Sequence, residues 1–144
     1  MSQNEKIKHP QMSQDNKVKY LQMIQDVVKR MADISAAMKR YTLVAFAGAA
    51  ALARALEEPG AMLLAMVLVF IFWALDAQYL RQEKWFRDMY DLARTQDPEK
   101  IDFDLTPPAD VRDKTGIRYG FSSWSTWWLY LPLLAISFIL WLIF

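Results

Sequence analysis

The sequence predicts an all-α membrane protein: two long helices form a transmembrane hairpin with a cytosolic helical stalk, and a C-terminal third transmembrane helix follows. Apolar residues are concentrated in three blocks, at 42–56, 61–77 and 127–144, instead of recurring at amphipathic spacing along the whole chain. A Glu-Glu-Pro-Gly break separates the first two blocks, and each of them adjoins a segment with apolar residues at helical spacing. Polar segments dilute the blocks, so the mean hydropathy is only slightly positive.

The composition argues against several classes of function. The net charge is +1, so no basic field favours nucleic acid as a partner. The absence of cysteine excludes disulfides and thiolate metal sites. The sequence has no glycine-rich phosphate loop and no cluster of histidine with carboxylates, and Ser122, Ser123 and Ser125 have no base nearby in sequence. We therefore expect neither an enzyme nor a bound cofactor or metal.

The first helix is expected to begin after a disordered polar arm at 1–14. Asp15 or Asn16 can cap it, and residues 16–41 then form the first half of the stalk. Its apolar side chains recur in steps of three and four, which is typical of a helix with one buried face. These positions are Leu21, Ile24, Val27, Val28, Met31, Ile34 and Met38.

The first predicted span, 42–56, is short. About 15 residues at 1.5 Å each cover roughly 22 Å, less than the ~30 Å hydrocarbon core of a bilayer, so flanking side chains such as Arg54 must reach outward. The first two blocks, 42–56 and 61–77, also suit buried core helices of a soluble bundle, and that alternative stays open. Small residues repeat every fourth position on two faces of the first block, and such surfaces accept closely packed helices in membranes. The two rows are Ala45, Ala49, Ala53 and Ala47, Ala51, Ala55.

Pro59 and Gly60 end the first helix and fold the chain back, so residues 15–96 form one helical hairpin. Its second arm contains the span 61–77 and the second half of the stalk, 78–96. Aromatic side chains in that half are expected to pack on the apolar stripe of the first helix. They are Tyr79, Trp85, Phe86 and Tyr90.

Asp76 is the one acidic residue at the inner boundary of the second apolar block. Folding at Pro59 places it within about a turn of Lys39 and Arg40, so that an ion pair is available at the cytoplasmic interface. Two interpretations of this pair stay open. It fixes the register of the hairpin at the water boundary, or it belongs to a gate or an ion pathway.

A cytosolic loop is predicted at 97–123, with residues 101–105 either a short strand or an extended strap. The last block then forms a transmembrane helix at 124–144, which carries no charged residue. Aromatic side chains at the start of this helix are expected to form a belt at the membrane interface. They are Trp124, Trp127, Trp128 and Tyr130.

Basic residues flank the inner end of every block. The positive-inside rule therefore predicts a cytoplasmic N-terminus, an external Glu-Glu-Pro-Gly turn and an external C-terminus. The basic residues concerned are Lys29, Arg30, Lys39, Arg40, Arg81, Lys84, Arg87, Arg112, Lys114 and Arg118.

The run from Phe72 to Asp91, FWALDAQYLRQEKWFRDMYD, resembles a group of small, mostly uncharacterised bacterial inner-membrane proteins. In that group an N-terminal helix and an apolar hairpin precede a pattern of Phe-Trp, Leu-Asp-Ala, Tyr-Leu-Arg-Gln-Glu, Phe-Arg and Tyr-Asp, and the similarity covers about 17–94. Gln78, Lys84, Trp85 and Met89 depart from the pattern, and the terminal apolar span replaces the soluble segment usual in the group. The resemblance implies a bacterial inner-membrane protein that serves as a membrane effector in phage defence.

Two functions of different classes follow. In the first, the protein is an oligomerising membrane effector or channel-like unit that is controlled through its cytosolic stalk. In the second, it is a non-conducting membrane anchor or accessory subunit whose stalk docks a soluble partner. The partners expected are the lipid bilayer, further copies of the chain or another membrane or cytosolic protein, and no nucleic acid.

Overall fold

The computed structural model describes the backbone of residues 3–143 and the side chains of residues 13–143. The described part of the chain is helical with no strand, as the sequence predicts. Its helices are α1 (Gln3–Leu56), α2 (Gly60–Thr95), α3 (Ala109–Lys114), α4 (Ile117–Phe121) and α5 (Trp124–Ile143), and a short 3-10 helix covers Pro98–Lys100.

Helix α1 begins at Gln3, earlier than the predicted caps Asp15 and Asn16. Residues 3–14 are therefore helical and do not form an arm without secondary structure, while Met1 and Ser2 lie outside the described residues. Gln and Lys account for five of these twelve residues, and unbranched residues of this kind favour a helix, whereas Pro10 disfavours a helix interior. A helix already formed by the stalk extends through them more readily than a new helix would form, because nucleation is the costly step.

Helix α1 ends in a C-terminal capping motif, which forms the turn to α2. Glu57 adopts a left-handed backbone conformation with φ of 54°, and the Glu58 N–H donates to the Ala53 carbonyl at 3.2 Å. This closure satisfies a carbonyl that the last turn of α1 leaves free. Pro59 then follows where it cannot extend α1, and Gly60 is already the first residue of α2. The predicted turn is present, but Glu57 supplies the unusual conformation, not glycine.

Helices α1 and α2 are antiparallel and pack against each other along their length. At one end, Lys17 Nζ donates to the Arg94 carbonyl at 2.8 Å. At the other, Ala53 packs with Met62 in a cluster of fully buried side chains. Contacts therefore extend from the start of the described side chains on α1 to the turn.

The stalk has its own apolar cluster, which contains Tyr20, Ile24, Met89 and Ala93. The predicted stalk residues Phe86 and Tyr90 pack against it. Trp85 does not join this contact with α1: its Nε1 donates to the Thr115 carbonyl at 3.3 Å, and the Arg81 guanidinium lies 4.7 Å from its ring centroid. Trp85 therefore faces the segment that the sequence predicts as a loop. Tyr79 is half-buried.

Residues 101–108 form the extended strap, not a strand. The strap crosses the stalk end, where the Tyr20 hydroxyl donates to the Asp104 carbonyl at 2.5 Å and the Phe103 ring meets the Tyr20 ring edge-on. Ile101 and Leu105 pack on the stalk cluster. Between them, Phe103 has a left-handed backbone with φ of 60°, so the alternation in sequence does not correspond to one regular extended face.

The predicted loop at 97–123 also contains α3 and α4, which pack on α2. Gly120 of α4 is buried against the backbone of Ala77, and a Cβ built on Gly120 would lie 2.0 Å from the Ala77 carbonyl oxygen. Only glycine permits so close an approach. The contact fixes α4 beside α2 one residue after Asp76.

Between residues 3 and 143, two helices are long and apolar enough to cross a membrane, α2 and α5. The sequence predicts three spans. The block at 42–56 does not reach the required length and hydropathy, because Lys39 and Arg40 precede it and Arg54 interrupts it near its end. That block instead packs along the first half of α2 through Ala49 and Ala53.

We predict that Gly120→Ala displaces α4 from α2 and destabilises the fold by about 1–3 kcal/mol, as overpacking of a tight contact does. Thermal unfolding of the detergent-solubilised protein measures the effect. Gly116→Ala is the matched control, since a Cβ at Gly116 meets no atom within 4 Å. Equal melting temperatures for the two variants would contradict the close contact between α4 and α2.

Candidate functional site

The centre of the candidate site is Asp76, whose side chain is 0% exposed. Its Oδ1 accepts a hydrogen bond from the Ser35 hydroxyl at 2.5 Å. Its Oδ2 lies 2.7 Å from Lys39 Nζ, in an ion pair that lacks the direction of a hydrogen bond. Ser35 and Lys39 are one turn apart on α1, so both reach the same point on α2.

Ser35, Lys39 and Asp76 form a closed group in which each member contacts the other two. The Lys39 ammonium donates to the Ser35 hydroxyl at 2.8 Å, and that hydroxyl in turn donates to Asp76. The lysine side chain keeps 22% of its surface exposed. Its alkyl part packs between the helices while water still reaches it, as is usual for lysine at such a boundary.

Helix α5 covers the site. Tyr130 is 0% exposed, and its hydroxyl lies close to Asp76 and Thr42 without forming a hydrogen bond of good geometry to any described residue. The Tyr130 ring stacks on Trp73 of α2, with centroids 5.9 Å apart and planes 7° from parallel. Thr42 is buried beneath it and donates to the Met38 carbonyl at 2.8 Å. Three helices therefore exclude water from the carboxylate.

The sequence places Asp76 at the level of Lys39 and Arg40, and the structure distinguishes between the two cations. Lys39 pairs with Asp76, whereas Arg40 is exposed and has no ion pair with any side chain from 13 to 143. Ser35 and Thr42 were not predicted. Their positions at i−4 and i+3 from Lys39 put all three on one helix face, and that spacing is the signal that identifies them.

Three of the four side chains of the predicted interfacial belt are exposed, and the fourth is buried. Trp124, Trp127 and Trp128 are 74%, 54% and 64% exposed at the start of α5. Tyr130 does not belong to the belt, because it points inward and covers Asp76. The prediction fails there because α5 is apolar on all sides and gives no sign of which face is buried.

Exposed side chains change character at the level of the site. Toward the turn and along α5 they are apolar, and toward the stalk end of α1 and α2 they are mostly charged or polar. The large apolar side chains exposed on the first side are Leu43, Val44, Leu52, Leu56, Leu63, Leu64, Val67, Phe70, Ile71, Leu75, Ile136, Phe138, Ile139, Leu142 and Ile143. The buried carboxylate therefore marks a boundary between two kinds of surface.

The chemistry available at the site is electrostatic. The groups of Ser35, Lys39 and Asp76 are engaged with one another, so the arrangement fixes α1 against α2 and changes only when the ion pair breaks. Among the side chains that the structure describes, no three of His, Cys, Asp or Glu lie close enough to hold a metal ion.

Comparison of the chain with protein-family models, curated proteins and solved structures found no match.

We predict that Lys39→Met destabilises the protein by about 3–5 kcal/mol, because it leaves the fully buried Asp76 carboxylate without a counter-charge. Asp76→Asn should be milder, since the asparagine keeps an acceptor for Ser35 and the partly exposed Lys39 ammonium turns to water. Chemical unfolding in detergent measures both.

Arg40→Gln is the control for this pair of variants. It removes an exposed cation from the same turn of α1 and should change stability by less than about 0.5 kcal/mol. If Lys39→Met proved no more harmful than Arg40→Gln, the ion pair would contribute nothing to the fold.

Proposed function

We propose that the protein is a multi-pass protein of the bacterial inner membrane and acts there as an oligomerising effector or channel-like unit controlled through its cytosolic stalk. The observation that carries this proposal is the reversal of the usual distribution of polarity. The Asp76 carboxylate and the hydroxyls of Ser35, Thr42 and Tyr130 are buried where three helices meet, while large apolar side chains face outward. A lipid environment favours that distribution, and water does not.

The extent of exposure supports the membrane over a soluble bundle. In the 18-residue apolar stretch of each helix, only 28% of α2 and 22% of α5 is buried inside the molecule. A helix at the core of a soluble bundle would be mostly buried, because its apolar surface stabilises the fold only when it is removed from water. In a bilayer the same surface faces acyl chains.

The block at 42–56 shares the membrane with these two helices in the proposed arrangement. Its own length is insufficient, but it lies against α2 through Ala49 and Ala53 and exposes Leu43, Val44 and Leu52 to the same surroundings. Arg54 lies close to the turn, where a long side chain reaches the external headgroups. The positive-inside rule then gives a cytoplasmic stalk, an external turn and an external end of α5.

The position of the ion pair supports control through the stalk. Asp76 and Lys39 join α1 to α2 at the boundary between the charged and apolar surfaces, so a stalk movement that separates the helices has to break a buried pair. Ionisable groups at such depth are costly and are typical of gates and pathways.

The small residues of α1 support oligomerisation. Ala49 and Ala53 are buried against α2, but Ala47, Ala51 and Ala55 of the second row are exposed. A second copy of the chain can approach this row closely, because small side chains bring helix backbones together in a bilayer.

The anchor hypothesis is the second candidate, and one observation favours it. Between 42 and 75 the charged side chains are Arg54, Glu57 and Glu58, which all lie near the turn. The rest of this outward surface therefore offers no polar stripe with which several copies would line a pore. A stalk that docks a soluble partner needs no such stripe.

We predict that Glu58→Cys is labelled by a membrane-impermeant maleimide in intact cells, while Asp33→Cys is labelled only after the cells are opened. The chain has no native cysteine, so each variant reports one position. Both positions are exposed, which makes them a matched pair. Protection of Glu58→Cys in intact cells, or release of the protein from membranes at high pH, would contradict the proposed crossing.

We also predict that inducible expression dissipates the membrane potential, measured with a potential-sensitive dye. If the ion pair holds the closed arrangement, Asp76→Asn at equal membrane abundance should depolarise cells at lower induction. Arg40→Gln should behave as the unmodified protein. An unchanged potential with well-expressed protein would favour the anchor, and equal behaviour of Asp76→Asn and Arg40→Gln would remove the gating role of the pair.

A further inference from the structure

Two open cavities lie side by side where α4 meets α2 and α5. One, of about 560 Å³, is lined by Trp73, Arg118, Phe121, Ser122 and Trp127. The other, of about 480 Å³, is lined by Ser122, Trp124, Trp127, Trp128, Leu131 and Pro132. The two share Ser122 and Trp127 in their lining and are therefore adjacent, and we call them together the α4–α5 groove.

The groove lies at the boundary marked by Asp76. Gly120 fixes α4 against Ala77, the next residue along α2, and Trp73 lies about one turn from Asp76 toward the apolar end. The groove therefore extends from the level of the water boundary into the apolar part of the molecule. In the proposed membrane arrangement this is the depth of the cytoplasmic headgroups and the first part of the acyl chains.

The chemistry of the groove is amphipathic. Its walls are mostly indole and aliphatic surface. Arg118 lines the cavity that contains Trp73, and the adjoining cavity has no charged side chain among its lining residues. Arg118 is exposed and forms no ion pair with any side chain that the structure describes. A guanidinium without a counter-charge, placed at one end of an apolar groove, is complementary to an anionic head joined to an apolar chain.

Arg118 is the cation of its segment that no nearby acidic residue in sequence offsets. Arg112 and Lys114 are exposed in the same segment, but Asp110 and Asp113 are exposed beside them, and Lys114 lies 3.9 Å from Asp110 with both side chains largely in solvent. Basic pockets between membrane helices on the cytoplasmic side are a recurrent form of anionic lipid site, and exposed tryptophans at this depth are typical of headgroup contact.

We propose that the α4–α5 groove binds one anionic phospholipid. Its phosphate lies on the Arg118 guanidinium, which suits phosphate oxygens by its planar pair of donors, and an acyl chain lies along Trp124, Trp128 and Leu131. This inference rests on the proposed membrane location and adds to it a specific lipid site. Occupancy would join α4 to α5 beside the Asp76 ion pair, so the lipid composition of the membrane would influence the same junction as the stalk.

The test compares vesicles of phosphatidylcholine alone with vesicles that also contain phosphatidylglycerol, using the full-length protein reconstituted into each. Thermal unfolding followed by tryptophan fluorescence is the readout. A ligand bound by the folded state alone raises the unfolding temperature, so phosphatidylglycerol should raise it by a few degrees. Arg118→Gln should lose most of this rise, and Arg118→Lys should retain part of it.

Arg112→Gln and Lys114→Gln are the matched controls, because they remove exposed cations of the same segment that do not line the groove. Both should keep at least half of the rise. The proposal is overturned if Arg118→Gln keeps the full rise, or if each control loses as much as Arg118→Gln, which would indicate diffuse attraction to the whole basic segment.

The outcome is separable from the membrane proposal. If the unmodified protein resists extraction from membranes at high pH yet melts at the same temperature in both vesicles, the lipid site is wrong and the membrane location stands. If the protein is released from membranes, both proposals fail.

Discussion

The buried Asp76 carboxylate is the constraint on which the rest of the structure depends. An ionised carboxylate removed from water is strongly destabilising unless a cation and hydrogen-bond donors surround it. Ser35 and Lys39 supply these groups from α1, and they do so only when the two helices are aligned in one register. The contacts of Lys17 near the stalk end and of Ala53 near the turn agree with that register. Apolar packing alone would tolerate sliding along the helices, whereas a closed polar group does not.

Exclusion of water from this carboxylate requires α5 and the segment before it. Tyr130 covers Asp76 only because α5 packs on α2, and α5 follows α4, which the contact of Gly120 with Ala77 fixes in place. Trp85 holds the preceding residues through the Thr115 carbonyl. The segment 97–123 therefore connects the stalk to α5 through contacts with α2. Its contact at Ala77 lies at the level where the exposed side chains change from charged to apolar.

The sequence predicts the features that local pattern determines. The turn at Pro59, the pairing level of Asp76 and the contacts of Phe86 and Tyr90 follow from helix periodicity and from the position of one break. Tyr130, Trp85 and Gly120 could not be placed, because their partners lie on elements distant in sequence and α5 is apolar on every face. The start of α1 at Gln3 does not follow from the sequence, because residues 3–14 are polar, contain Pro10 and lack an apolar face. Ser35 could have been predicted by the same spacing that identifies Lys39, because it lies four residues earlier on the same face of α1.

The ion pair is asymmetric, and this bears on how the junction can change. Lys39 keeps contact with water, so it can leave the site by extending along α1, but Asp76 is covered by three helices and cannot follow it. Any arrangement in which the stalk helices separate must therefore give the carboxylate a new donor or admit water to it. The Tyr130 hydroxyl lies close by and has no hydrogen bond of its own to a described residue, so it is the donor on α5 that is placed to replace Lys39. The stalk helices and α5 therefore meet at one carboxylate.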